Sequence, residues 1–263
     1  MSSSSYKCRR FKNKVAIVTA GTKGIGLAIA ERLGLEGASI VIGSRNQKNV
    51  DEAVAQLKTK GVKNVAGLAG DIGEEVEQKR LVDFTLQTFG KINILVNNHG
   101  INLSIGNILE VSHEEWNKLF NFNVISGFQM TKLVQPHIKN QGGGAIIFNA
   151  SYSAYFSPPA FAAYAVTKTA LVGLTRALAI GLAKDNIRVN GIAPGVVKTE
   201  MSRPLWEAGP EAERQIAELT GIALGRLGEP DDCAGAVAFL ASDDANYVVG
   251  ETMIIGGGAQ ARF

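Results

Sequence analysis

The chain has 263 residues, enough for one large domain, and its 46% hydrophobic and 19% charged residues exclude a disordered or fibrous protein. Lys and Arg outnumber Asp and Glu only slightly, for a net charge of +3, whereas nucleic-acid-binding proteins usually show a stronger basic excess. Two cysteines, Cys8 and Cys233, cannot build a disulfide framework or a Cys/His metal cluster. We therefore expect a metal-free globular protein of a reducing compartment that does not bind nucleic acid.

Short β-branched segments alternate with longer amphipathic segments along the chain. Predicted strands cover residues 15–19, 39–43, 62–70, 92–97, 145–150, 189–193 and 251–255. Predicted helices cover residues 25–35, 49–60, 74–89, 161–184 and 230–240, and a further long helix opens at the capping box Ser112 to Glu115 and runs toward His137. Apolar strands alternating with helices predict a doubly wound α/β fold, with helices on both faces of a parallel sheet.

The stretch from 194 to 226 is polar, contains no predicted strand and carries Gly209-Pro210. Ligands of doubly wound folds bind at the carboxyl ends of the strands, so we expect this stretch to be a mobile insertion over that edge. No linker or internal repeat divides the chain. The prediction is one domain over 12–258, a flexible arm over 1–11 and a tail over 259–263.

A glycine-rich loop, residues 19–26, follows the first strand and opens the first helix. Gly24 and Gly26 have no Cβ, so the start of the helix can lie against a pyrophosphate and pack on the strand. A tight strand-to-helix turn without a ligand is the structural alternative. The position of the loop between strand and helix favours the dinucleotide interpretation.

The second strand ends in Ser44-Arg45-Asn46 and has no acidic residue there. A NAD site would place Asp or Glu at this point to hold the ribose 2′-hydroxyl. Two cations, Arg45 and Lys23, together with the hydroxyl of Ser44 suit a 2′-phosphate instead, which predicts NADP. The alternative is that both cations are solvated surface charges.

Tyr164 and Lys168 lie at i and i+4 and therefore on one face of a predicted helix. A free phenol titrates near pH 10, and a neighbouring cation favours the phenolate, so we expect a lowered pKa for Tyr164. Ser151 follows a strand at the carboxyl edge of the sheet, where its hydroxyl could hold a substrate oxygen. Taken alone, Tyr-x-x-x-Lys is a common pattern that favours a surface pair, and a serine at a strand end is usually a cap.

With these residues the sequence resembles the short-chain dehydrogenases/reductases over residues 12 to about 258. The resemblance rests on the glycine loop, Asp71, Asn97-Asn98-His99-Gly100, Asn123, Ser151, Tyr164, Lys168 and Ala193-Pro194-Gly195. It implies one Rossmann-type domain with a seven-stranded sheet and no separate substrate domain. Within the family, the tracts 186–199, 225–235 and 250–258 are similar to a peroxisomal group of NADP-dependent carbonyl and retinal reductases.

The family resemblance also implies a role for each site residue. Tyr164 is the acid/base, Lys168 lowers its pKa and holds the nicotinamide ribose, Ser151 polarises the carbonyl, and Asn123 anchors a water in the proton relay. The implied cofactor site comprises Ala20, Thr22, Lys23, Gly24, Ile25, Gly26, Ser44, Arg45, Asn46, Asp71, Ile72, Asn98, Gly100, Tyr164, Lys168, Pro194, Val197 and Thr199. No metal is implied.

Two residues depart from the usual family pattern. Ala20 replaces the first glycine of the loop, which requires a negative φ if its methyl group is to be tolerated. His99 replaces the usual alanine. Its ring could stack, hydrogen-bond or point to solvent, and we assign it no catalytic role.

The main functional hypothesis is an NADPH-dependent carbonyl reductase acting on apolar or aromatic ketones, α-dicarbonyls, quinones or retinal-like aldehydes. The apolar tract 152–161, with Tyr155, Phe156 and Phe161, and the pair Leu205-Trp206 suggest that substrate class, although ordinary packing or a subunit contact explains the same aromatics. A NAD-linked alcohol dehydrogenase and a non-catalytic NADP-binding scaffold are the alternatives.

The ends and the surface give three further expectations. No run of about 18 apolar residues is present, so we expect no membrane span. Ala261-Arg262-Phe263 has the form of a peroxisomal address, with chance as the alternative. The family resemblance implies a homotetramer or dimer. Four leucines at helical spacing could contribute to that contact or to the internal core: Leu171, Leu174, Leu178 and Leu182.

Overall fold

The computed structural model describes residues 9–103 and 105–259. Most of the predicted arm and the whole of Ala261-Arg262-Phe263 lie outside the described residues. The arm boundary predicted at residue 11 is wrong, because the described part of the arm is tied to the domain. Phe11 is 1% exposed in the core, and the Nε of Arg10 lies 2.6 Å from a carboxylate oxygen of Glu36.

Seven parallel strands form one sheet, as predicted. They are β1 (Val15–Thr19), β2 (Ser39–Ser44), β3 (Val65–Ala69), β4 (Ile94–Asn97), β5 (Gly144–Asn149), β6 (Ile187–Pro194) and β7 (Thr252–Ile255). Their order across the sheet is β3-β2-β1-β4-β5-β6-β7, with Ile17 paired to Val41 on one side and to Leu95 on the other. The strand order reverses between β1 and β4, where a doubly wound sheet opens a crevice at its carboxyl edge. The doubly wound, Rossmann-type prediction is confirmed.

Eight helices accompany the sheet within the described residues, and six of them cover its two faces. They are α1 (Gly24–Leu35), α2 (Gln47–Thr59), α3 (Glu75–Phe89), α4 (His113–Phe120), α5 (Ser126–Asn140), α6 (Ala162–Leu182), α7 (Pro210–Leu219) and α8 (Pro230–Ala241). Helices α1, α2 and α8 bury side chains such as Leu33 and Val237 against one face of the sheet. Helices α3, α5 and α6 bury Leu81, Val134 and Leu171 against the other face. Both faces are therefore covered, which explains why the strands are apolar along their whole length.

Most element boundaries agree with the prediction to within two residues, and two elements differ by more. Strand β3 begins at Val65 and not at residue 62. The long helix expected from the Ser112 capping box to His137 is interrupted by a wide π-type turn, Asn121–Ile125, between α4 and α5. The side chain of Asn123 in this turn is bonded to residues far away in sequence, so local helical periodicity could not predict the interruption.

The leucine stripe of α6 faces the internal core. Leu171 is 2% exposed, and the other three leucines pack partly buried against the same apolar cluster. The intramolecular alternative is therefore correct, and the stripe gives no support for a subunit contact. Helix α6 with its flanking turns, 159–185, is also the one stretch of the described residues long and apolar enough to cross a membrane. Its inner face packs in the core, as in other buried helices of α/β domains.

The segment 194–226 forms an insertion with its own small core. It contains a short turn, Arg203–Leu205, and helix α7. Ala217, Ile222 and Leu227 are buried together, and Trp206 packs against them. The insertion lies along one side of the cleft described below, where it contributes residues from α7.

Candidate active site

A large cleft opens at the carboxyl edge of the sheet, where β1, β4, β5 and β6 end. Its volume is about 1200 Å³, and a smaller pocket of about 130 Å³ shares Ala20 and Gly100 with it. The predicted residues that line the cleft are Ala20, Lys23, Gly24, Ile25, Gly26, Asn98, Gly100, Ser151, Tyr164, Lys168, Pro194, Val197 and Thr199. Those that line the smaller pocket are Ala20, Ser44, Arg45, Ile72 and Gly100. Most of the predicted site is thus brought together.

Four predicted residues line neither space. Thr22 is buried in the loop, and Asn46 caps α2 by accepting a bond from the Asn49 backbone amide. Asp71 accepts a bond of 2.9 Å from the Gly73 amide. Asn123 lies behind the cleft wall. The side chains of Asn46 and Asp71 thus hold the local backbone of their loops.

The glycine loop approaches its neighbours as closely as expected. A Cβ on Gly26 would lie 2.4 Å from both the carbonyl oxygen of Ala20 and Nδ2 of Asn98, so no larger residue fits. Gly24 has a φ of +52°, a conformation that favours glycine, and it lies beside Thr199 on the opposite wall. The packing alternative therefore accounts for Gly26 by itself. At Gly24 a Cβ would lie 3.1 Å from the side chain of Thr199, so a larger residue there would narrow the cleft that both residues line.

The expectation of a negative φ for Ala20 is wrong. Its φ is +49°, in the left-handed region where a Cβ crowds the carbonyl oxygen at a cost of about 1 kcal/mol. The methyl group lies at the junction of the cleft and the smaller pocket. The chain accepts this local strain where its backbone turns from β1 into α1, a pattern typical of ligand-binding loops.

Ser151, Tyr164 and Lys168 meet on the cleft wall. Ser151 follows β5, and its hydroxyl hydrogen-bonds to the phenol of Tyr164 in the first turn of α6. The backbone amide and the hydroxyl of Ser153 both donate to Ser151 Oγ, at 3.1 and 2.9 Å. Because Ser151 then gives its own proton to the phenol oxygen, the phenol proton stays available to a ligand in the cleft.

Lys168 lies one helical turn beyond Tyr164, at the base of the cleft. Its side chain is almost fully buried, its Nζ donates to the backbone carbonyl of Asn149 at 2.8 Å, and Nζ is 5.4 Å from the centre of the Tyr164 ring. The amine therefore lies near the Tyr164 ring, and one of its N–H groups is hydrogen-bonded to the end of β5.

Burial dominates the ionisation of this pair. Desolvation raises the pKa of Tyr164 to about 12, against the smaller lowering by the Ser151 hydrogen bond. Desolvation also lowers the pKa of Lys168 to about 7. The expected low pKa of Tyr164 is thus wrong for the chain alone, because removal of the phenolate from water outweighs the lowering by the Ser151 hydrogen bond. At neutral pH Tyr164 is a protonated phenol, ready to donate a proton.

Asn123 clamps the loop after β4 to helix α6. Its Oδ1 accepts from the Ile101 amide at 2.8 Å, and its Nδ2 donates to the Ile101 carbonyl at 2.9 Å and to Thr167 Oγ1 at 3.0 Å. All polar positions of its amide are engaged except one lone pair. Because Thr167 directly precedes Lys168 in the chain, this contact is consistent with the predicted place of Asn123 beside the catalytic residues.

His99 is a site residue whose environment the sequence did not reveal. It is 3% exposed, lines the smaller pocket, and has hydroxyl partners on both ring nitrogens. The only sign in the sequence that this position is unusual was the histidine in place of the alanine usual in the family. Of the three alternatives for this ring, the structure shows the hydrogen-bonded one. The ring is buried and makes a T-shaped contact with Phe122.

The residues present fit a nicotinamide dinucleotide. The cleft joins a glycine turn at a helix start to Tyr164 and Lys168, and the buried Oδ1 of Asn149 on the cleft wall has no hydrogen-bond partner within the described residues. An orphan acceptor of this kind suits a ligand hydroxyl. Among residues 9–103 and 105–259, neither Lys23 on the cleft nor Arg45 on the smaller pocket forms an ion pair, so both cations remain available to an anionic ligand.

Comparison with known proteins agrees with this arrangement. A family model described as "Enoyl-(Acyl carrier protein) reductase" matches residues 19–260. The chain is 72% identical to a Caenorhabditis elegans protein named dehydrogenase/reductase SDR family member 4, over 97% of this chain and 98% of that protein. It is 47% identical to the Homo sapiens protein of the same name, over 95% of this chain and 88% of that protein.

Two solved structures share the whole fold. L-Sorbose reductase from Gluconobacter frateurii, complexed with NADPH and L-sorbose, superposes with a TM-score of 0.90 at 32% identity, covering 96% of this chain and 98% of that one. A 7α-hydroxysteroid dehydrogenase complexed with NADH and 7-oxo glycochenodeoxycholic acid gives a TM-score of 0.89 at 33% identity, covering 100% and 99%. The chain therefore belongs to the short-chain dehydrogenase/reductase family of oxidoreductases, whose structural neighbours use nicotinamide cofactors.

Proposed function

We propose that this protein is an NADPH-dependent carbonyl reductase. The observation that carries the proposal is the convergence of Ser151, Tyr164 and Lys168 on one wall of the large cleft. A serine hydroxyl bonded to a phenol, with an amine beside the phenol ring, suits proton transfer to an oxygen.

The chain's own residues supply the proton and the charge stabilisation. A nicotinamide cofactor, when bound, supplies the hydride. Tyr164 donates its phenolic proton to the carbonyl oxygen, and its raised pKa keeps that proton in place at neutral pH. Ser151, which already bonds to the phenol, turns its hydroxyl toward the same oxygen as negative charge develops there. Lys168, protonated, stabilises the phenolate that remains.

The shape and lining of the cleft support an apolar substrate. Tyr152, Phe156 and Phe161 line one side, and Leu205 and Ile216 of the insertion line another. Of the aromatics singled out in the sequence, Tyr155 and Trp206 pack against internal clusters and do not line the cleft. We therefore propose substrates with a broad apolar or aromatic body next to the carbonyl, such as aromatic ketones, α-dicarbonyls, quinones or retinal-like aldehydes.

The phenol of Tyr164 gives the direct test. We expect Tyr164→Phe to lower the turnover of an aromatic α-dicarbonyl with NADPH by at least about a hundredfold, because the proton donor is lost while the ring is kept. Turnover is followed by loss of NADPH absorbance. The matched control is Tyr247→Phe, which removes the hydroxyl of a fully exposed tyrosine and should leave the rate unchanged. A Tyr164→Phe enzyme with the parent rate contradicts the proposal, and NADPH binding without turnover by the parent favours the scaffold alternative.

The preference for NADPH is proposed from the end of β2. Ser44 and Arg45 line the smaller pocket, which also contains Glu77, an acid whose charge is paired with Arg80. A free guanidinium and a hydroxyl suit the extra charge of a 2′-phosphate, whereas an acid free to hold a ribose hydroxyl would favour NAD.

This preference predicts a switch in cofactor use. Arg45→Asp should raise KM for NADPH by about tenfold or more while leaving KM for NADH unchanged or lower, because one charge-assisted contact is worth roughly 1.5–3 kcal/mol. Steady-state kinetics with both cofactors measure the ratio. Lys63→Asp, the same charge reversal at an exposed loop lysine, is the control. Equal loss with both cofactors, or a parent that prefers NADH, overturns the NADPH assignment and favours the NAD-linked alternative.

A further inference from the structure

His99 joins three parts of the molecule that meet behind the cleft. It follows β4, its Nδ1 lies 2.8 Å from Thr19 Oγ1 at the end of β1, and its Nε2 lies 2.7 Å from Ser126 Oγ at the start of α5. The partners are 80 and 27 residues away in sequence. The edge of the ring also packs on Phe122, at 5.6 Å between centroids.

Counting hydrogen-bond partners fixes the direction of the contact with Ser126. Ser126 Oγ donates its single proton to the carbonyl of Phe122, so it can only accept from His99 Nε2–H. Thr19 Oγ1 accepts from the amides of Asn98 and His99, and its own proton is within reach of two acceptors, the Val96 carbonyl at 3.2 Å and His99 Nδ1 at 2.8 Å. Burial, with a smaller effect of the Lys168 charge, lowers the pKa of His99 to about 3, so the ring is neutral. With its one proton on Nε2, the ring donates to Ser126 and accepts from Thr19.

The two segments that His99 joins are the same two that Asn123 joins. Asn123 bonds the turn before α5 to Ile101, and His99 bonds Ser126, three residues later in the chain, from a position two residues before Ile101. The loop and the turn are thus hydrogen-bonded to each other at two points. Gly100 lies between these two points in the chain and is close to the site, because a Cβ there would lie 3.1 Å from Lys168 Nζ and 3.7 Å from Asn123 Oδ1.

We propose that His99 is a positioning residue, which through its bond to Ser126 holds the loop 99–101 and the Asn123 turn in register against Lys168. The proposal rests on the proposed function, because it concerns the proton-transfer geometry of that same site. An alanine, the usual family residue at this position, leaves the loop and the turn joined by Asn123 alone. A rotation of the loop then displaces the Gly100 backbone relative to Lys168. Small displacements of this kind affect turnover more than binding.

Two conservative substitutions separate the two bonds of the ring. In His99→Gln the amide nitrogen reaches the position of Nε2 and can still donate to Ser126. In His99→Asn the shorter amide reaches the position of Nδ1 and can still accept from Thr19. If the register is set through Ser126, we expect Gln to stay within about twofold of the parent kcat, and Asn and His99→Ala to fall by roughly tenfold, with KM for NADPH nearly unchanged in all three.

Ser126→Ala provides a second route that does not disturb the ring. It should lower kcat to the same extent as His99→Ala, and the double variant should lose no more than either, because both remove one contact. The matched control is Thr131→Val in the same helix, which removes a buried hydroxyl bonded within α5, to Gly127, and not between segments. It should keep the parent kcat.

Two further readouts separate positioning from stability. Amide hydrogen exchange of 101 and 121–126 should accelerate in His99→Ala and His99→Asn, but not in His99→Gln, while exchange in α8 stays unchanged. The solvent deuterium isotope effect on kcat should rise in the same two variants, because proton transfer becomes slower. Equal rescue by Gln and Asn, or a parent kcat in both His99→Ala and Ser126→Ala, overturns the proposal. A parent that does not reduce carbonyls refutes the proposed function instead. The hydrogen-exchange pattern then still tests whether His99 holds the loop and the turn together.

Discussion

The ionisation of Lys168 and Tyr164 predicts how activity depends on pH. Lys168, with a pKa lowered by burial to about 7, is charged below that pH and neutral above it. Tyr164, with a pKa raised by burial to about 12, keeps its proton through the whole neutral range. Reduction needs the phenol proton and benefits from the ammonium, so only the loss of the ammonium limits it as pH rises. An anionic cofactor nearby moves that limit upward.

We therefore expect kcat for carbonyl reduction, at saturating NADPH, to fall by about tenfold or more between about pH 6 and 9.5, along a limb centred at or above pH 7. Alcohol oxidation, which needs the phenolate, should rise over the same range. Stopped-flow or steady-state rates across the range give both profiles. Lys168→Arg keeps its charge at all these pH values and should flatten the reduction limb. A flat profile for the parent would mean that the charge of Lys168 does not limit the reaction.

At the residue scale, the sequence predicted identities better than environments. The spacing of Tyr164 and Lys168 and the place of Ser151 after a strand were sufficient to predict their meeting, because a helix turn and a sheet edge dictate it. The pKa of Tyr164 could not be predicted in this way, because desolvation depends on what the whole fold packs around the ring. The environment of His99 was left open for the same reason: its partners Thr19 and Ser126 are brought to it only by the fold.

At the element scale, the insertion is fastened to the domain by charge. Lys198 Nζ lies 2.9 Å from carboxylate oxygens of both Glu213 on α7 and Glu229 at the start of α8. These contacts raise the pKa of Lys198, so it is charged throughout the working pH range. Glu213 also accepts the Leu227 amide at 3.2 Å. Because α7 contributes Ile216 and Leu219 to the cleft, this fastening sets how closely the insertion covers a ligand.

We expect Lys198→Met to raise KM for bulky substrates by several-fold with little change in kcat or melting temperature, because partly exposed ion pairs stabilise folding only weakly. High salt should raise the parent KM toward that of the variant, since it screens the same contacts. Arg203→Met is the control: its ion pair with Glu200 lies in the same insertion but joins neighbouring residues. A kcat loss equal to the KM change, or the same effect in the control, would contradict a fastening role.

The elements themselves were largely predictable. Strands such as β1 and helices such as α3 follow from apolar runs and from capping residues, which are local properties. Helix α7 was missed because the insertion 194–226 is polar and its apolar side chains cover only a small separate core. The Asn121–Ile125 turn was missed because the side chain of Asn123 is satisfied across the domain and not along its own helix.

At the scale of the whole molecule, the exposed faces of α5 and α6 are the basis for predicting assembly. Ile180 is 81% exposed on α6, and Val166 and Phe128 are about two-fifths exposed on the two helices. Gly173 and Gly181 leave open space beside them, which lets another backbone approach closely. The buried leucine stripe lies on the opposite side of α6, so these exposed residues, and not the leucines, are the candidates for a symmetric contact.

We therefore expect a dimer or tetramer with closed symmetry, held in part by the outer face of α6. Ile180→Lys places a charge on that face and should shift the assembly to smaller species without changing the far-ultraviolet circular dichroism. Light scattering after size-exclusion chromatography measures the mass of the parent protein and of the variant. Leu109→Lys adds the same charge at an equally exposed leucine in the turn Ile108–Glu110 and should leave the assembly intact. A monomeric parent would refute the assembly. Dissociation by Leu109→Lys alone would place the contact elsewhere, because a symmetric interface is disrupted by a charge on the surface patch that forms it.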